Sequence, residues 1–146
     1  MHDRILIQEL GQGQPALRLL RQHVSDHLCD VVVPGSQDDF SVRSKMIPVG
    51  RAPLIDARVG AVQYDRTPRH IARGGIDHYQ VGLCVDGQMT YTAGRRSVTL
   101  REGDLCLMDM AQPSRTVLTP GRNGKRSRKV AITLPRSSLV PGIRAE

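Results

Sequence analysis

Apolar residues recur along this chain in two rhythms, and the change of rhythm divides it. Between Pro15 and Cys29, Leu17, Leu20, Val24 and Leu28 return at intervals of three and four, the signature of one helix face. Pro15 suits a first helical turn, where its missing N–H has no partner to lose. Arg18, Arg21, Gln22 and Ser25 take the opposite side. From Ser41 onward the period shortens to two. Ser41–Met46 alternates, and in Pro53–Tyr64 the residues Ile55, Ala57, Val59 and Ala61 alternate with Asp56, Arg58 and Gly60. Further short runs follow at Tyr79–Val85, Met89–Thr92, Ser97–Leu100, Leu105–Met110, Arg115–Thr119 and Lys129–Leu134. Asp86-Gly87, Ala93-Gly94, Gly103-Asp104, Pro113 and Pro120-Gly121 punctuate them, and such spacing predicts an all-β sandwich or barrel. Arg66–Arg73 reads as extended chain leading into this block, with Arg73 at a strand end. Residues 1–13, with the apolar Ile5-Leu6-Ile7, read as an arm. Residues 14–136 read as one domain including the helix 15–29, and 137–146, with Pro141-Gly142, as the start of a linker.

Composition narrows the class. A chain of 146 residues with 39% hydrophobic and 24% charged residues fits one soluble globular domain with a real core. Aromatic residues make up only 3%, which argues against a reader of single-stranded nucleic acid built on stacking platforms. The net charge is +7, and the excess leans toward the second half, where eleven Lys/Arg face six Asp/Glu. Five of the eight residues Arg122–Lys129 are basic. A basic run can lie along phosphates. This one has no aromatic residue and no recognition-helix pattern, and it reads as a solvated hairpin tip.

Three cysteines, Cys29, Cys84 and Cys106, form no CxxC, zinc or disulfide pattern. Cys84 and Cys106 sit in apolar runs and read as buried thiols. No window approaches the roughly 18 apolar residues of a membrane span, and no signal peptide is evident, so a cytoplasmic protein without membrane contact is expected. Gly-x-Ser-x-Gly, the phosphate-binding GxxxxGK and the zinc motif HExxH are all absent. Asp104, in Glu102-Gly103-Asp104, reads as a turn residue. His23 and His27 stand one helical turn apart, with no third metal ligand nearby.

Several blocks occur in a telling order. Arg66-Thr67-Pro68-Arg69-His70-Ile71-Ala72-Arg73 comes first, then Asp77-His78-Tyr79 running into Leu83-x-Val85-x-Gly87. Gly94-Arg95-Arg96 and Leu100-Arg101-Glu102-Gly103-Asp104-Leu105-x-Leu107-x-Asp109 follow. Together they resemble the N-terminal sensor domain of AraC-type transcriptional regulators, in the branch called AraC-binding-like. The resemblance covers roughly residues 12 to 140. It implies a mainly β, cupin-like double-stranded β-helix with a leading N-terminal helix and a C-terminal helix. It also implies a small-molecule effector, a homodimer, and DNA contact only through a C-terminal helix-turn-helix domain. This chain ends where the linker to that domain would begin.

The resemblance also suggests which residues meet the effector. Alternation puts Gln80, Gly82 and Cys84 on one strand face, and the cupin pattern points that face inward. Arg73 falls near the position at which a sugar-sensing member holds its ligand with an arginine, whose fork suits a carboxylate or diol. Ser114 and Thr116 would present hydroxyls at the barrel mouth. His70 and His78 are either effector contacts or hydrogen-bonded partners that fix strand ends. Metal-dependent cupins need a His-x-His pair, a Glu and a later His. This chain has no His-x-His at His70, offers Gln80 at the Glu position and has Ser114 at the later His position, so neither a cofactor nor an enzymatic activity is expected. The competing readings are a small metal-dependent cupin enzyme and a free-standing modulator that dimerises with a longer regulator.

Overall fold

A computed structural model describes residues 6–74, 78–122, 124 and 126–137, the first five of these as backbone only. The chain opens with strand β1 (Leu6–Gln12) and helix α1 (Gly13–Val24), then a short β2 (Asp30–Val32) and a 3-10 turn at Gln37–Asp39. β3 (Ser41–Val49), β4 (Ala52–Val59) and β5 (Val62–Arg66) lead to a second short helix, α2 (Pro68–Gly74). β6 (Tyr79–Asp86), β7 (Gln88–Ala93), β8 (Arg96–Leu100), β9 (Leu105–Asp109), β10 (Ser114–Thr119) and β11 (Ser127–Leu134) complete the described part. The strands form two antiparallel sheets, ordered β1-β3-β4-β11-β6-β9 and β2-β5-β10-β7-β8. Residues of both sheets line one interior, with α1 along one side of it. The core is apolar and draws on both sheets and the helix: Ala16, Leu17, Phe40, Val59, Val62, Met89 and Leu118 are almost wholly buried.

The period-two stretches form strands within about three residues of where alternation puts them, but Pro53–Tyr64 does not run as one strand. It breaks at Gly60 into β4 of one sheet and β5 of the other. There the Gly60 N–H donates to Ser41 O at 2.9 Å, and a Cβ on Gly60 would stand 3.4 Å from Ser41 N and 3.6 Å from Phe40. The chain turns this corner against a neighbouring backbone, where the smallest residue fits best. Gly87 is more demanding. Its φ is +89°, and a Cβ would lie 2.4 Å from Thr119 O, so only glycine closes the β6–β7 turn.

Three further expectations change. Residues 6–12 of the arm are an edge strand, paired with β3 from Leu6↔Met46 to Gln12↔Ser41. The leading helix stops at Val24 instead of reaching Cys29. Leu28 and Cys29 both donate to Val24 O, while the carbonyls of His27 and Leu28 are taken by Arg66 Nη1 at 2.9 Å each. The two N–H groups thus converge on one carbonyl, and Arg66 satisfies two of the carbonyls left without a helical partner. Finally, 68–74 is helix rather than extended chain. Pro68 occupies the first turn, and His70 Nδ1 accepts the Thr67 N–H at 2.9 Å, the return half of a capping box made with an imidazole in place of a Glu. The Gly103-Asp104 segment is the turn expected: Asp104 N donates to Arg101 O, and Asp104 Oδ2 accepts from Arg101 N at 2.9 Å. Of the linker expected over 137–146, only Ser137 is among the described residues.

Candidate functional site

Between the two sheets lies a cavity of about 360 Å³. The strands build it by alternation. On β10 the inward residues are Ser114, Thr116 and Leu118, and on β4 they are Ile55, Ala57 and Val59. β6 supplies Gln80, β5 supplies Tyr64 and Arg66, and β7 supplies Tyr91. β11 supplies Lys129 and Ala131. Leu20, His23 and Val24 of α1, with Leu28 and Cys29 after it, close one side. The walls are mainly apolar, and a few polar groups converge on them, which is the general character of a small-molecule site. A groove along the outside of α1, lined by Gln14, Arg18, Gln22 and Asp26, is open and mostly polar by comparison.

Inward residues of β6 are small where the cavity needs room. Gly82 and Cys84 are buried, and a Cβ on Gly82 would meet Met108 Cε at 2.8 Å and Lys129 Cε at 3.8 Å. The polar groups differ in how far they are already satisfied. Arg66 is fully engaged by main chain, donating to Met110 O at 2.8 Å as well as to His27 and Leu28. It ties the segment after α1 to the end of β9. Burial lowers its pKa. Asp109 accepts from Arg136 and from Ala111 N, and the Arg136 guanidinium also donates to Tyr79 Oη at 2.7 Å and lies 4.4 Å from the centre of its ring. Burial pushes the Tyr91 phenol up, while a hydrogen bond with Ser114 works the other way. Burial raises the Tyr64 phenol as well, and pushes the Cys29 thiol up to about 12, so neither is an anion at neutral pH.

Lys129 is the exception. Its side chain retains some accessible surface along the cavity yet is enclosed by protein atoms, and burial lowers its pKa. Nζ lies 3.3 Å from Gln80 Oε1. Among the described residues it forms no ion pair with a carboxylate.

Of the six residues singled out from sequence, Gln80, Ser114 and Thr116 line this cavity. The other three do not. Arg73 is exposed on α2, so its guanidinium faces solvent. His70 is completely buried beneath α2, where Nδ1 accepts from Thr67 and Nε2 sits 3.3 Å from Asp30 Oδ1 at an angle that makes no hydrogen bond. Its geometry is that of a cap fixing a helix start. His78 precedes β6, and its Nδ1 is buried with no hydrogen-bond partner among the described residues. Sequence reasoning missed Tyr64, Arg66, Tyr91 and Lys129. Lys129 closes the basic run that reads as a solvated hairpin tip and opens the expected strand Lys129–Leu134; the strand begins at Ser127 and carries Lys129 inside. No group of three His, Cys, Asp or Glu among the described residues is placed to hold a metal. No described helix is long and apolar enough to cross a membrane.

The AraC-binding-like domain model matches residues 20–145. No protein of curated function matches the sequence. Among solved structures, the AraC-like transcriptional activator CuxR matches with a TM-score of 0.83 at 21% identity, over 97% of this chain and 51% of that one. The chain thus spans about half the length of that activator's structure. An HTH_3 family transcriptional regulator from Vibrio cholerae matches with a TM-score of 0.51 at 11% identity, over 84% of this chain and 64% of the other. A cupin superfamily protein from Desulfitobacterium hafniense matches at 0.46 and 12%, over 64% of this chain and 77% of its own. The mainly β, cupin-like fold with its leading helix is the one that the resemblance implied.

Proposed function

The chain belongs to the AraC-binding-like domain family, and from that premise we propose that it is the effector-sensing part of an AraC-type transcriptional regulator. In this reading a small molecule enters the cavity between the sheets, the domain works as a homodimer, and DNA is contacted only by a C-terminal helix-turn-helix domain that is not in this chain. The domain catalyses nothing and holds no cofactor. The observation that supports the reading most directly is the cavity itself. It is a mainly apolar space of ligand size, with polar groups gathered at Gln80, Tyr91, Ser114, Thr116 and Lys129.

The route from ligand to output is part of the same proposal. Leu20, His23 and Val24 form a wall of the cavity from α1, and α1 is continuous with β1 at Gln12–Gly13. A ligand touching that wall would have different contacts in two placements of the helix and edge strand. Such a difference is what any shift between two states requires.

The test is a thermal-shift screen of the 146-residue chain against small metabolites, run beside metal analysis of the purified protein. A ligand that binds only the folded state at about a hundredfold excess over its Kd should raise the melting temperature by roughly 5 °C or more. Loss of that shift on replacing Thr116 by a bulkier residue would place the ligand in the cavity. Stoichiometric iron, manganese, nickel or zinc, with turnover of a substrate, would overturn the reading in favour of a cupin enzyme.

A further inference from the structure

We propose that the cavity takes a small monocarboxylate with an apolar body, and that Lys129 is the counter-ion of its carboxylate, Gln80 standing beside it. The inference rests on the cavity being an effector site, and it names the class of effector.

An ammonium enclosed by protein atoms is costly unless an anion or several strong acceptors meet it. Lys129 has one acceptor, Gln80 Oε1 at 3.3 Å, and three protons to donate. Asp109 borders the same cavity, but it is already engaged by Arg136 and by the Ala111 N–H. Among the described residues the other cation on the lining is Arg66, and it donates to three main-chain carbonyls. So, among the described residues, Lys129 is the cation of the lining whose donors the fold leaves mostly unmatched.

The surroundings of Lys129 support a ligand there. Its neighbours across the sheet are Ala57 on β4 and Cys84 on β6, and Gly82 and Ala131 lie next along the same inward rows. Small residues on both flanks keep the space around the ammonium open, and any side chain at Gly82 would press on Met108 and approach the lysine stem. Beyond this polar end the walls are formed by Leu20, Val24, Ile55, Val59, Met108 and Leu118. One positive charge calls for one negative charge, and apolar walls call for an apolar body. A volume of about 360 Å³ is at the lower end of ligand pockets, which keeps that body small. A polyol would leave most of these walls facing hydroxyl groups, and a phosphate would bring two charges to one cation.

The experiment uses the 146-residue chain and matched probes: hexanoate, octanoate and benzoate, each beside its primary amide, with arabinose as the polyol probe. Thermal shift and calorimetry are read on the unaltered chain first. At least one acid should bind about tenfold or more tightly than its amide, because a charge-assisted hydrogen bond is stronger than a neutral one. Lys129→Met should then bind acid and amide alike, with its own melting curve recorded to show that it folds. The comparison of acid with amide on the unaltered chain needs no variant, so it decides the matter even where Lys129→Met fails to fold. Equal binding of acid and amide, or unchanged acid binding in folded Lys129→Met, overturns the role of Lys129 while leaving a sensing cavity. Binding of arabinose but of no acid overturns the carboxylate class in the same way. If no acid, amide or polyol binds, the carboxylate proposal falls; the wider sensing reading then fails separately only if the metabolite screen is also empty.

Discussion

Arg128 and Lys129 are adjacent on β11, and the fold treats their charges in opposite ways. Arg128 points outward and meets Asp56 through two parallel hydrogen bonds, Nε to Oδ1 at 2.9 Å and Nη2 to Oδ2 at 2.7 Å. That hydrogen-bonded pairing raises the arginine's pKa and lowers the aspartate's. Lys129 points inward, has a single amide oxygen for company, and has its pKa lowered by burial. A pair made entirely within the fold contributes to the fold alone. A charge that the fold leaves unmatched costs stability, and it is retained where something outside the chain supplies the match. The contrast between the two faces of one strand is thus the difference between architecture and site.

Filling the inner face should have the largest effect. In Gly82→Val the new side chain meets Met108 Cε, Met89 Cε and the Lys129 stem, while the Asp56–Arg128 pair on the outer face is untouched. Overpacking of this kind should cost about 2–3 kcal/mol, read as a lower denaturant midpoint with unchanged slope. Binding of any cavity ligand should be lost with it. Gly82→Val that still binds ligand at full strength would separate the ligand from Lys129's end of the cavity.

Breaking the outer face should cost somewhat less. Arg128→Ala removes both donors from Asp56, a carboxylate only 9% exposed, and should destabilise the domain by about 2 kcal/mol at neutral pH with cavity binding unchanged. The pH dependence has a definite sign. The folded-state pKa of Asp56 lies below its ordinary 3.8, chiefly through the Arg128 hydrogen bonds. Its stabilisation is therefore present above pH 3.8 and lost as pH falls through the lower folded value. The gap between the unaltered chain and Arg128→Ala should close over that acid range. A gap independent of pH would show that Arg128 acts by packing its stem and not by its charge.

The same strand shows how far the sequence could be read. Period-two alternation and Gly-Asp punctuation located nearly every strand from Ser41 to Leu134, since a half-buried strand writes its inward face into its residues. Alternation separates the two faces of Tyr79–Val85, but it is the cupin resemblance that points the face of Gln80 inward and sets Ser114 and Thr116 at the barrel mouth. Neither places Lys129. Val130, Ala131 and Ile132 are all apolar, so β11 has no alternation to say which of Arg128 and Lys129 faces inward. The decision comes from pairing: β11 lies between β4 and β6, and the small residues that let Lys129 fit, Ala57 and Gly82, are some fifty to seventy positions away. Arg66 was missed for the same reason, since its acceptors lie on segments of other sequence regions. Arg73 is expected near the ligand by analogy of position, but Thr67-Pro68 starts a helix there and carries it to the surface; of the two readings open for His70, the structure has the hydrogen-bonded partner, at a helix start.

The smallest effect tests the inner face by its cost. In the absence of ligand, Lys129→Met should stabilise the domain by about 1 kcal/mol at neutral pH, because a thioether of similar length needs no counter-ion. A folded-state pKa below the ordinary 10.5 means that the folded chain releases this proton more readily than the unfolded one. The penalty is full below the lowered value and disappears as pH rises toward 10.5, so the advantage of Lys129→Met should fade across that window. Tyr64 and Cys29 titrate with the opposite sign. Their raised values make the folded state hold protons that the unfolded chain gives up near 10.0 and 9.0, which lowers stability as pH climbs. The stability of either protein alone mixes these trends; the difference between the two removes the Tyr64 contribution and leaves Lys129 with its coupling to Cys29. A saturating carboxylate ligand should reverse the order, making the unaltered chain the more stable one. If Lys129→Met is less stable at neutral pH without ligand, the lysine already has its match inside the fold, and the contrast with Arg128 disappears.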